Sequence, residues 1–575
     1  MSLPLEKFKD TSLTKETLAS ERKKARFSPN ELGDFIYGKE YRERVARILK
    51  VLRAEPEIFS NEDIYFLNRS ELIERYLKRE RRLVELYRSG KIQNEDIEFT
   101  FKLYGTMGPY TLSRGAFLPA VEKQSNPEQI EKFVKPAEEY RIIGCYAQTE
   151  LGHGSNVRGM ETTITFVEET DEFEVNSPSL TSAKWWIGTM GVHATHAVVM
   201  GQLIIKGKNY GVFPIVVPLR SLEDHKPLPG VYIGDIGPKF GVNVMDNGYL
   251  YLDHVRVPRI NLLQKYINVS RDGTFSRIKG ADPRMTYISM VQLRTGIASG
   301  MGVLLARAVT VATRYTAVRR QFGKVGKPET PVLDYGIVQH RIIPLIAQAY
   351  AMIGMTHELK NQFVRTTDAI AKNDFSLLKE MHATSAGLKK WSTTISIYGI
   401  DTCRHVCGGH GYSQFSGLNQ LFTDNYPGII YEGDNYILAQ QTTRYVLNIA
   451  GDLLKGSSDI ENNDTTRYMQ RFITKSNVSP STSALTWVGR TANQLISNRT
   501  TLIDLLAYRL ASMTSDLAQK IHFKGHKFED SLVTAQAISM AHSEFIVALY
   551  FDRYLKTLPQ SSPLAPILDL MFVIS

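Results

Sequence analysis

A glutamate beside a glycine, at the start of a predicted helix, is the first feature of this sequence that could do chemistry. The segment YEGD at 431–434 follows a Pro-Gly pair and precedes a long apolar stretch. A carboxylate at the mouth of an apolar region has a raised pKa, so Glu432 could act as a general base. The alternative is that Glu432 or Asp434 only favours the start of the helix, with Asp434 as its cap. The segment taken alone favours this second interpretation.

Two glycine-rich segments could bring the backbone close to a phosphate or a planar ring. They are TELGHGS at Thr149–Ser155 and CGGHGY at Cys407–Tyr412. Glycine lets backbone N–H groups approach such a ligand closely, but it is also common in tight turns and at helix ends. Arg319 and Arg320 end a predicted helix, where they could grip a pyrophosphate or simply complement the helix dipole.

The sequence does not support several other kinds of nucleotide-binding, catalytic or metal site. The sequence contains no GxGxxG between a strand and a helix, no GxxxxGK[ST] and no GxSxG, which argues against Rossmann, P-loop and nucleophile-elbow sites. Cys403, His405, Cys407 and His410 suggest zinc, but the second pair of ligands that such a site needs is not in view. We therefore expect no metal.

The composition is that of a globular protein with an excess of basic residues. Of the 575 residues, 43% are hydrophobic and 22% charged, and 69 Lys and Arg against 59 Asp and Glu give a net charge of +10. The basic residues form no tail and no nucleic-acid motif is present, which disfavours nucleic acid as the polyanionic partner. No apolar run approaches the ~18 residues that span a bilayer. With three cysteines and no secretory signal, the sequence predicts an intracellular protein without a membrane span.

The elements that must position these residues fall into segregated helical and β blocks, which predicts an α+β multidomain fold. A polar, turn-rich stretch at Gly456–Thr465 is predicted to be a linker. The predicted domains are an N-terminal α-helical domain at 1–140, a β domain at 141–275, a helical-bundle domain with the YEGD segment at 276–455, and a C-terminal α-helical domain at 466–575.

Within these blocks, hydrophobic periodicity predicts individual elements. Thr162–Val167 and Phe173–Val175 are predicted to form a hairpin, and Tyr249–Val257 a single strand. Ile288–Tyr315 and Tyr431–Ile449 are predicted to be long helices with apolar stripes.

Eight segments, in this order and spacing, resemble the acyl-CoA dehydrogenase/oxidase superfamily, with a closer likeness to the peroxisomal acyl-CoA oxidases. Each segment is weak alone, but eight in the right order are hard to reach by chance, and the likeness runs through roughly residues 35–450. The segments are YAQTELGHGSN (Tyr146–Asn156), KWWIG (Lys184–Gly188), GDIGPKFG (Gly234–Gly241), MDNGYLYLDHVRVPR (Met245–Arg259), RYTAVRRQFG (Arg314–Gly323), QHR (Gln339–Arg341), CGGHGY (Cys407–Tyr412) and YEGDN (Tyr431–Asn435).

The resemblance implies a fold and a cofactor. The fold would have an N-terminal α-helical domain, a middle β-barrel domain and C-terminal helical-bundle domains. The cofactor would be FAD, held noncovalently between the barrel and the bundle of a homodimer, or of a heterodimer with a related subunit.

The resemblance also implies roles for residues, position by position. Glu432 matches the catalytic base, Thr149 matches the residue that meets the flavin ring, and Gly188 matches a backbone contact. Val291 stands where many dehydrogenases of the superfamily carry an aspartate. The implied cofactor-binding residues are Gln148, Thr149, Glu150, Gly154, Ser155, Gly188, Arg319, Gln339, His340, Arg341, Ile342, Gly409 and Asp434. The implied substrate-binding residues are Arg284, Met285, Thr286, Tyr287, Arg294 and Tyr431.

The implied activity is the first step of peroxisomal fatty acid β-oxidation. Fatty acyl-CoA would be oxidised to trans-2-enoyl-CoA while O₂ is reduced to H₂O₂. The alternatives are an acyl-CoA dehydrogenase that passes electrons to an electron-transfer flavoprotein, and a non-catalytic partner subunit. The resemblance implies a peroxisomal location, although the sequence closes on an apolar FVIS and not on an SKL-type tripeptide. This apolar ending suggests a truncated C-terminal domain.

Overall fold

The protein is represented by a computed structural model that describes residues 14–278, 288–457, 460–473, 491, 493, 496 and 498–575. The chain divides into two compact units. One, here called the helical unit, consists of Met1–Ala46 and Met290–Ser575. The other, here called the mixed unit, is Arg47–Ser289. The four-domain boundaries predicted from the sequence remain a prediction.

Helices make up most of the described chain. Those before the strands are α1 (Thr14–Lys23), α2 (Pro29–Tyr37), α3 (Lys39–Arg53), α4 (Pro56–Phe59), α5 (Arg69–Arg88), α6 (Asn94–Tyr104), α7 (Leu118–Gln124), α8 (Pro127–Gln129) and α9 (Lys135–Glu138). Those after the strands are α10 (Ile288–Val318), α11 (Gly336–Ala371), α12 (Leu378–Val406), α13 (Gly409–Tyr412), α14 (Leu418–Asn425), α15 (Asn435–Lys455), α16 (Asp464–Met469), α17 (Arg499–Lys524), α18 (Leu532–Leu555) and α19 (Ala565–Ile574).

The strands of the mixed unit form two main sheets. They are β1 (Gly144–Ala147), β2 (Thr163–Val167), β3 (Glu172–Asn176), β4 (Lys184–Ile187), β5 (His196–Ile205), β6 (Lys208–Pro218), β7 (Val231–Asp235), β8 (Gly248–Leu252), β9 (Val255–Pro258), β10 (Ile267–Val269) and β11 (Phe275–Arg277). The larger sheet runs β1-β5-β2-β3-β9, with β6 antiparallel to β5, and the smaller runs β4-β8-β7. Strands β10 and β11 form a separate antiparallel pair.

One apolar core joins the two sheets. Phe173 on the larger sheet and Leu250 on the smaller belong to the same cluster of buried side chains, and both are fully buried. The β-barrel implied by the resemblance is therefore built from two sheets that enclose a shared core. The predicted hairpin is confirmed, because β2 and β3 pair antiparallel.

The single strand predicted over Tyr249–Val257 is wrong. It is two strands, β8 in the smaller sheet and β9 in the larger. The chain changes sheet at His254, whose φ of +51° breaks the extended backbone. A left-handed residue cannot continue a strand, and periodicity does not reveal it.

The helical unit is built around long helices with small residues at their crossings. In α10 the buried residues Val291, Ala298, Leu305 and Ala312 lie seven apart on one stripe, as the sequence predicts. A Cβ on Gly302 would lie 2.8 Å from the Cβ of Met352 in α11, so the absence of a side chain permits this close crossing. Helix α12 is buried along most of its length.

Two helical segments of the described chain reach a length and apolar composition that could cross a bilayer, which the sequence analysis did not recognise. They are Met290–Val318 and Phe528–Leu555, and 44% and 56% of their most apolar windows are buried inside the protein. Core helices of bundles meet the same criterion, so this is weak evidence for a span.

Two predicted boundaries in the helical unit are corrected. The last bundle helix begins at Asn435, not Tyr431, because Glu432 and Gly433 both have positive φ. The predicted linker Gly456–Thr465 is in part a helix, since Asp464 and Thr465 lie buried in α16. The local polarity of this segment hides its tertiary contacts, because Asp464 pairs with Arg553 of α18.

A buried carboxyl pair in this unit predicts a pH dependence of stability. Glu380 accepts a hydrogen bond from the backbone N–H of Asp464 at 3.2 Å. Burial and the charge of Asp464 raise the pKa of Glu380 from 4.5 to about 7. Between these values the folded protein binds more protons than the unfolded chain, so stability falls by about 3 kcal/mol as pH rises. We expect a smaller fall in unfolding midpoint between pH 5 and 7.5 for Glu380→Gln than for the wild type. Equal falls in both proteins would contradict this origin.

Candidate active site

The backbone around Glu432 is held in an uncommon conformation. Glu432 and Gly433 have φ of +54° and +99°, so two consecutive residues are left-handed. For a residue with a side chain this conformation costs about 1–2 kcal/mol and persists only where neighbours enforce it. Asp434 then caps α15, its carboxylate accepting from the backbone N–H of Tyr436 at 2.8 Å. The base and cap interpretations of YEGD are therefore compatible, because Glu432 lies before the helix that Asp434 caps.

Two basic side chains enforce this turn by donating to its carbonyl oxygens. Arg294 Nε on α10 donates to the Glu432 carbonyl at 3.1 Å. Lys389 Nζ on α12 donates to the Gly433 carbonyl at 2.7 Å and to Asn435 Oδ1 at 3.1 Å. Three elements thus converge on the loop that presents Glu432.

The surroundings of Glu432 shift its proton affinity in the direction that a base needs. Burial raises the pKa of Glu432, and the positive charges of Arg294 and Lys389 oppose the shift. Burial, followed by the charge of Glu432, raises the pKa of the neighbouring Tyr431 to about 12. Tyr431 is therefore a neutral hydroxyl at physiological pH. The turn has two carboxyl side chains. Asp434 caps α15, whereas Glu432 is a desolvated acid that caps no helix.

In the mixed unit, the segment Thr149–Ser155 is fastened to β4 by a buried ion pair. Lys184 Nζ lies 3.2 Å from Glu150 Oε1 and donates to the carbonyls of Gln148 at 3.2 Å and Met200 at 2.7 Å. Glu150 Oε1 also accepts from Thr162 N at 2.9 Å and Thr162 Oγ1 at 2.6 Å. The Glu150 carboxylate is therefore directed into the protein, where it fixes the loop.

The pKa values of this pair follow from burial and mutual attraction. Burial alone would raise the pKa of Glu150, but Lys184 and the hydrogen bonds from Thr162 and Glu161 outweigh it and lower the pKa. Burial lowers the pKa of Lys184 to about 8, against the opposing charge of Glu150. At neutral pH the two side chains form an ion pair that water does not reach.

The two tryptophans beyond this lysine lie on an irregular strand. The register of β4 against β8 shifts between Lys184 and Ile187, and Trp186 has φ +71°. Such a bulge re-aims side chains, and it leaves Trp186 58% exposed. Trp185 N donates to the carbonyl of Thr149 at 3.0 Å, which ties β4 to the start of the glycine-rich loop.

The predicted cofactor-binding glycines differ in what surrounds them. A Cβ on Gly154 or Gly409 would meet nothing within 4 Å, so both offer open backbone to a ligand. A Cβ on Gly188 would lie 2.3 Å from Leu112 Cδ1, so packing alone already requires a glycine there. In CGGHGY, a Cβ on Gly411 would lie 1.8 Å from the carbonyl oxygen of Arg404, which is a second structural requirement.

The remaining predicted cofactor-binding residues lie at the end of α10 and in the first turns of α11, and most of them are exposed. Arg319, Gln339 and His340 are exposed, Arg341 is half-buried and Ile342 is buried. The end of α10 and the start of α11 are connected by a short ribbon in which Val332 N donates to the Arg319 carbonyl at 2.8 Å. This connection fixes Arg319 near the first turn of α11.

The structure groups some of the predicted residues and leaves others apart. It brings Arg294, Tyr431, Glu432 and Asp434 together in the helical unit. The mixed unit contains Gln148, Thr149, Glu150, Gly154, Ser155 and Gly188 on one loop and the adjoining strand. Arg284, Met285, Thr286 and Tyr287 lie outside the described residues. No cluster of three or more potential metal ligands occurs among the residues that the structure describes.

Sequence reasoning missed the two lysines that support these loops. Lys389 and Lys184 are 0% and 1% exposed, and each lies far along the chain from the loop it holds. Their signal was weak but present, because a lysine inside an otherwise apolar or small-residue segment is predicted to be buried and paired.

Along the chain, helical segments come before and after a two-sheet β domain, and a desolvated glutamate lies just before a bundle helix. These are features of the acyl-CoA dehydrogenase/oxidase superfamily. Three domain families match the chain. They are the acyl-coenzyme A oxidase N-terminal domain over residues 28–143, the acyl-CoA dehydrogenase middle domain over 145–255 and the acyl-CoA oxidase C-alpha1 domain over 287–447.

Relatives that match most of this chain show to which branch of the superfamily it belongs. Peroxisomal acyl-coenzyme A oxidase 1 of Rattus norvegicus is 40% identical over 443 residues, 76% of this chain and 67% of the relative. The structure of Arabidopsis thaliana acyl-CoA oxidase 1 has a TM-score of 0.90 at 36% identity, over 96% of this chain and 84% of that one. Caenorhabditis elegans acyl-CoA oxidase-1, complexed with FAD and ATP, has a TM-score of 0.87 at 31% identity, over 97% and 83%. The chain belongs to the acyl-CoA oxidase family.

Proposed function

We propose that Glu432 is the catalytic base of this FAD-dependent acyl-CoA oxidase. The reaction converts a fatty acyl-CoA to trans-2-enoyl-CoA and reduces O₂ to H₂O₂. The observation that carries the proposal is the environment of Glu432. Burial raises the pKa of its carboxyl group, and Arg294 of α10 donates a hydrogen bond to its backbone carbonyl. A carboxylate with a raised pKa is a stronger base toward a weakly acidic α-hydrogen than one in water.

The residues of the chain supply the proton transfer and the geometry. A Glu432 carboxylate oxygen takes the α-proton of the thioester, and the electron pair of that C–H bond forms the new C=C bond. The hydride leaves the β-carbon at the same time. The backbone N–H of Glu432 is proposed to donate to the thioester carbonyl, which stabilises the negative charge that develops there. The chemistry that FAD supplies is acceptance of the hydride and transfer of two electrons to O₂.

The proposed cofactor contacts are supported by residues that leave space or offer charge. The exposed Trp186 ring and the open backbone at Gly154 suit a planar ligand, and the exposed Arg319 suits a phosphate. The residues that would hold FAD are Gln148, Thr149, Glu150, Gly154, Ser155, Gly188, Arg319, Gln339, His340, Arg341, Ile342, Gly409 and Asp434. The net charge of +10 favours both polyanions, FAD and CoA.

The proposed substrate contacts are fewer. Arg294 and Tyr431 lie beside Glu432, and Arg284–Tyr287 would bind the CoA part. Because the Nε of Arg294 donates to the loop carbonyl of Glu432, we propose that its first role is to support the base.

The experiment that tests the function separates oxidase from dehydrogenase. The protein is purified with added FAD, and palmitoyl-CoA is added with and without air while the flavin spectrum and H₂O₂ are recorded. An oxidase bleaches anaerobically, recovers rapidly in air and forms one H₂O₂ per enoyl-CoA. Slow recovery in air would indicate a dehydrogenase that awaits an electron-transfer flavoprotein. If palmitoyl-CoA, a shorter thioester and a branched thioester all failed to reduce the flavin, the result would indicate a non-catalytic subunit.

We further propose a peroxisomal homodimer. Its support is an exposed set of aromatic side chains in the helical unit, a kind of surface that protein interfaces commonly bury. These side chains are Phe322, Tyr398, Tyr412 and Phe415, exposed by 65–81%. Light scattering on the purified protein would distinguish a dimer from the 64.9 kDa monomer. The peroxisomal location is supported by the relatives, which are named as peroxisomal acyl-coenzyme A oxidases.

A further inference from the structure

We propose that Lys389 is a positioning residue for Glu432, holding the loop that presents the carboxylate and tuning the proton affinity of that carboxylate. The inference rests on the proposed role of Glu432 as the base. It adds a fully buried residue that acts through the loop it holds.

The contacts of Lys389 are directed at the loop that presents Glu432. Its side chain is fully buried, and its ammonium donates to the Gly433 carbonyl at 2.7 Å and to Asn435 Oδ1 at 3.1 Å. Since Arg294 donates to the preceding carbonyl, that of Glu432, two cations hold two consecutive left-handed residues. Removal of one cation leaves a half-buried carbonyl without this donor in a strained turn, and the turn can relax.

Asn435 links Lys389 to the first turn of α15 by a hydrogen bond. Its Oδ1 faces Lys389, while its Nδ2 donates to Thr393 Oγ1 at 3.0 Å and Thr394 Oγ1 at 3.1 Å. All these groups lie on α12 or at the start of α15. The amide is therefore fixed in one orientation, with its acceptor toward the ammonium, and α12 sets the position of the loop.

The charge of Lys389 acts on the base as well as on the backbone. The charged groups that act on Lys389 are Glu432, Arg294 and Asp434, with His382 beyond Arg294 at 3.4 Å. Burial lowers the pKa of Lys389 to about 7, against the opposing charge of Glu432. Below that pH the lysine is positive, and it lowers the pKa of Glu432 from the value that burial alone would set. Loss of the charge therefore raises the proton affinity of the base.

The adjacent Lys390 provides a matched control. It is also buried in α12, at 7% exposed, but its Nζ donates to the Gln536 carbonyl at 3.1 Å and not to the Glu432 loop. Burial lowers its pKa as well, to about 8. The two lysines thus share residue type, helix and burial, and differ in the group that they hold.

The test compares Lys389→Met with Lys390→Met in the FAD-loaded enzyme. We expect Lys389→Met to lower kcat about tenfold or more with little change in KM. The acidic limb of its kcat/KM profile should move up by about one pH unit, because that limb reports the base in the free enzyme. Lys390→Met should keep the wild-type limb, although both variants lose some thermal stability. Lys389→Arg should restore the limb, since it restores the charge.

A second substitution keeps the proposal testable if Lys389→Met does not fold. Lys389→Gln keeps a donor for the Gly433 carbonyl but no charge, so the limb should move while kcat falls less. A wild-type limb in Lys389→Gln, or an equal shift in Lys390→Met, would overturn the proposal while leaving Glu432 as the base. Normal turnover by Glu432→Gln would instead show that Glu432 is not the base, on which this inference rests.

Discussion

Replacement of Glu432 by glutamine is expected to stop turnover while leaving the protein folded and loaded with FAD. A positioned base contributes about 10²–10⁴-fold to such a proton transfer, and glutamine cannot accept the α-proton. Glutamine keeps the size and the polar character of the side chain, so acyl-CoA should still bind. The measurement is H₂O₂ formation with palmitoyl-CoA, alongside the change in flavin spectrum that the bound thioester produces.

Glu380→Gln is the matched control for this substitution. Glu380 is also a buried glutamate of the helical unit, with a pKa that burial raises, but its carboxyl accepts from Asp464 N on α16. It should keep wild-type turnover and change only the pH dependence of stability. If Glu432→Gln turned over within a few-fold of the wild type, or Glu380→Gln lost turnover to the same extent, Glu432 would not be the base.

Replacement of Lys184 by methionine is expected to give the largest loss of stability and of flavin in the mixed unit. The substitution leaves the Glu150 carboxylate charged and buried, which costs about 3–5 kcal/mol when one partner of a buried pair is removed. The carbonyls of Gln148 and Met200 lose their donor as well. Since these groups define one end of the Thr149–Ser155 loop, we expect a lower unfolding midpoint and less FAD per chain after purification.

Lys206→Met is the control for Lys184→Met. Lys206 also pairs with a glutamate, Glu168 at 3.3 Å, but its side chain is 60% exposed. An exposed pair of this kind contributes about 0–1 kcal/mol, so the midpoint and the flavin content should stay near those of the wild type. Similar losses in the two variants, or none in Lys184→Met, would show that the buried pair does not support the loop.

Those parts of the fold that depend on local pattern could be predicted from the sequence. The stripe along α10 and the β2–β3 hairpin follow from the spacing of apolar residues, and the structure confirms both. The Asp434 cap follows from residue type at a helix start. These features need no information from distant parts of the chain.

Two of the errors, the undivided strand and the early start of α15, came from residues with left-handed backbone. His254 divides a continuous β-type pattern between two sheets, and Glu432 moves the start of α15 by four residues. Neither is glycine, so the sequence carries no marker for the positive φ. In both cases the surrounding contacts enforce a conformation that local preference disfavours.

The candidate site was predicted only where a motif could be matched by resemblance. Lys184 lies within the KWWIG motif, for which the resemblance implies no role of the lysine, and Lys389 lies outside all eight motifs. The importance of each lies in contacts with residues distant in sequence, at separations of 34 and 44 residues for Glu150 and Gly433. Burial of a lysine can be suspected from its apolar neighbours, but its partner is set by tertiary structure.

The most direct test of the central claim is anaerobic reduction of the bound flavin by acyl-CoA in a single turnover. Palmitoyl-CoA is mixed with the FAD-loaded wild type and with Glu432→Gln in the absence of oxygen, and the visible flavin band is followed in time. We expect rapid bleaching in the wild type and a persistent, perturbed oxidised spectrum in the variant. Bleaching of the variant at the wild-type rate, or a wild type that no acyl-CoA bleaches, would contradict the claim.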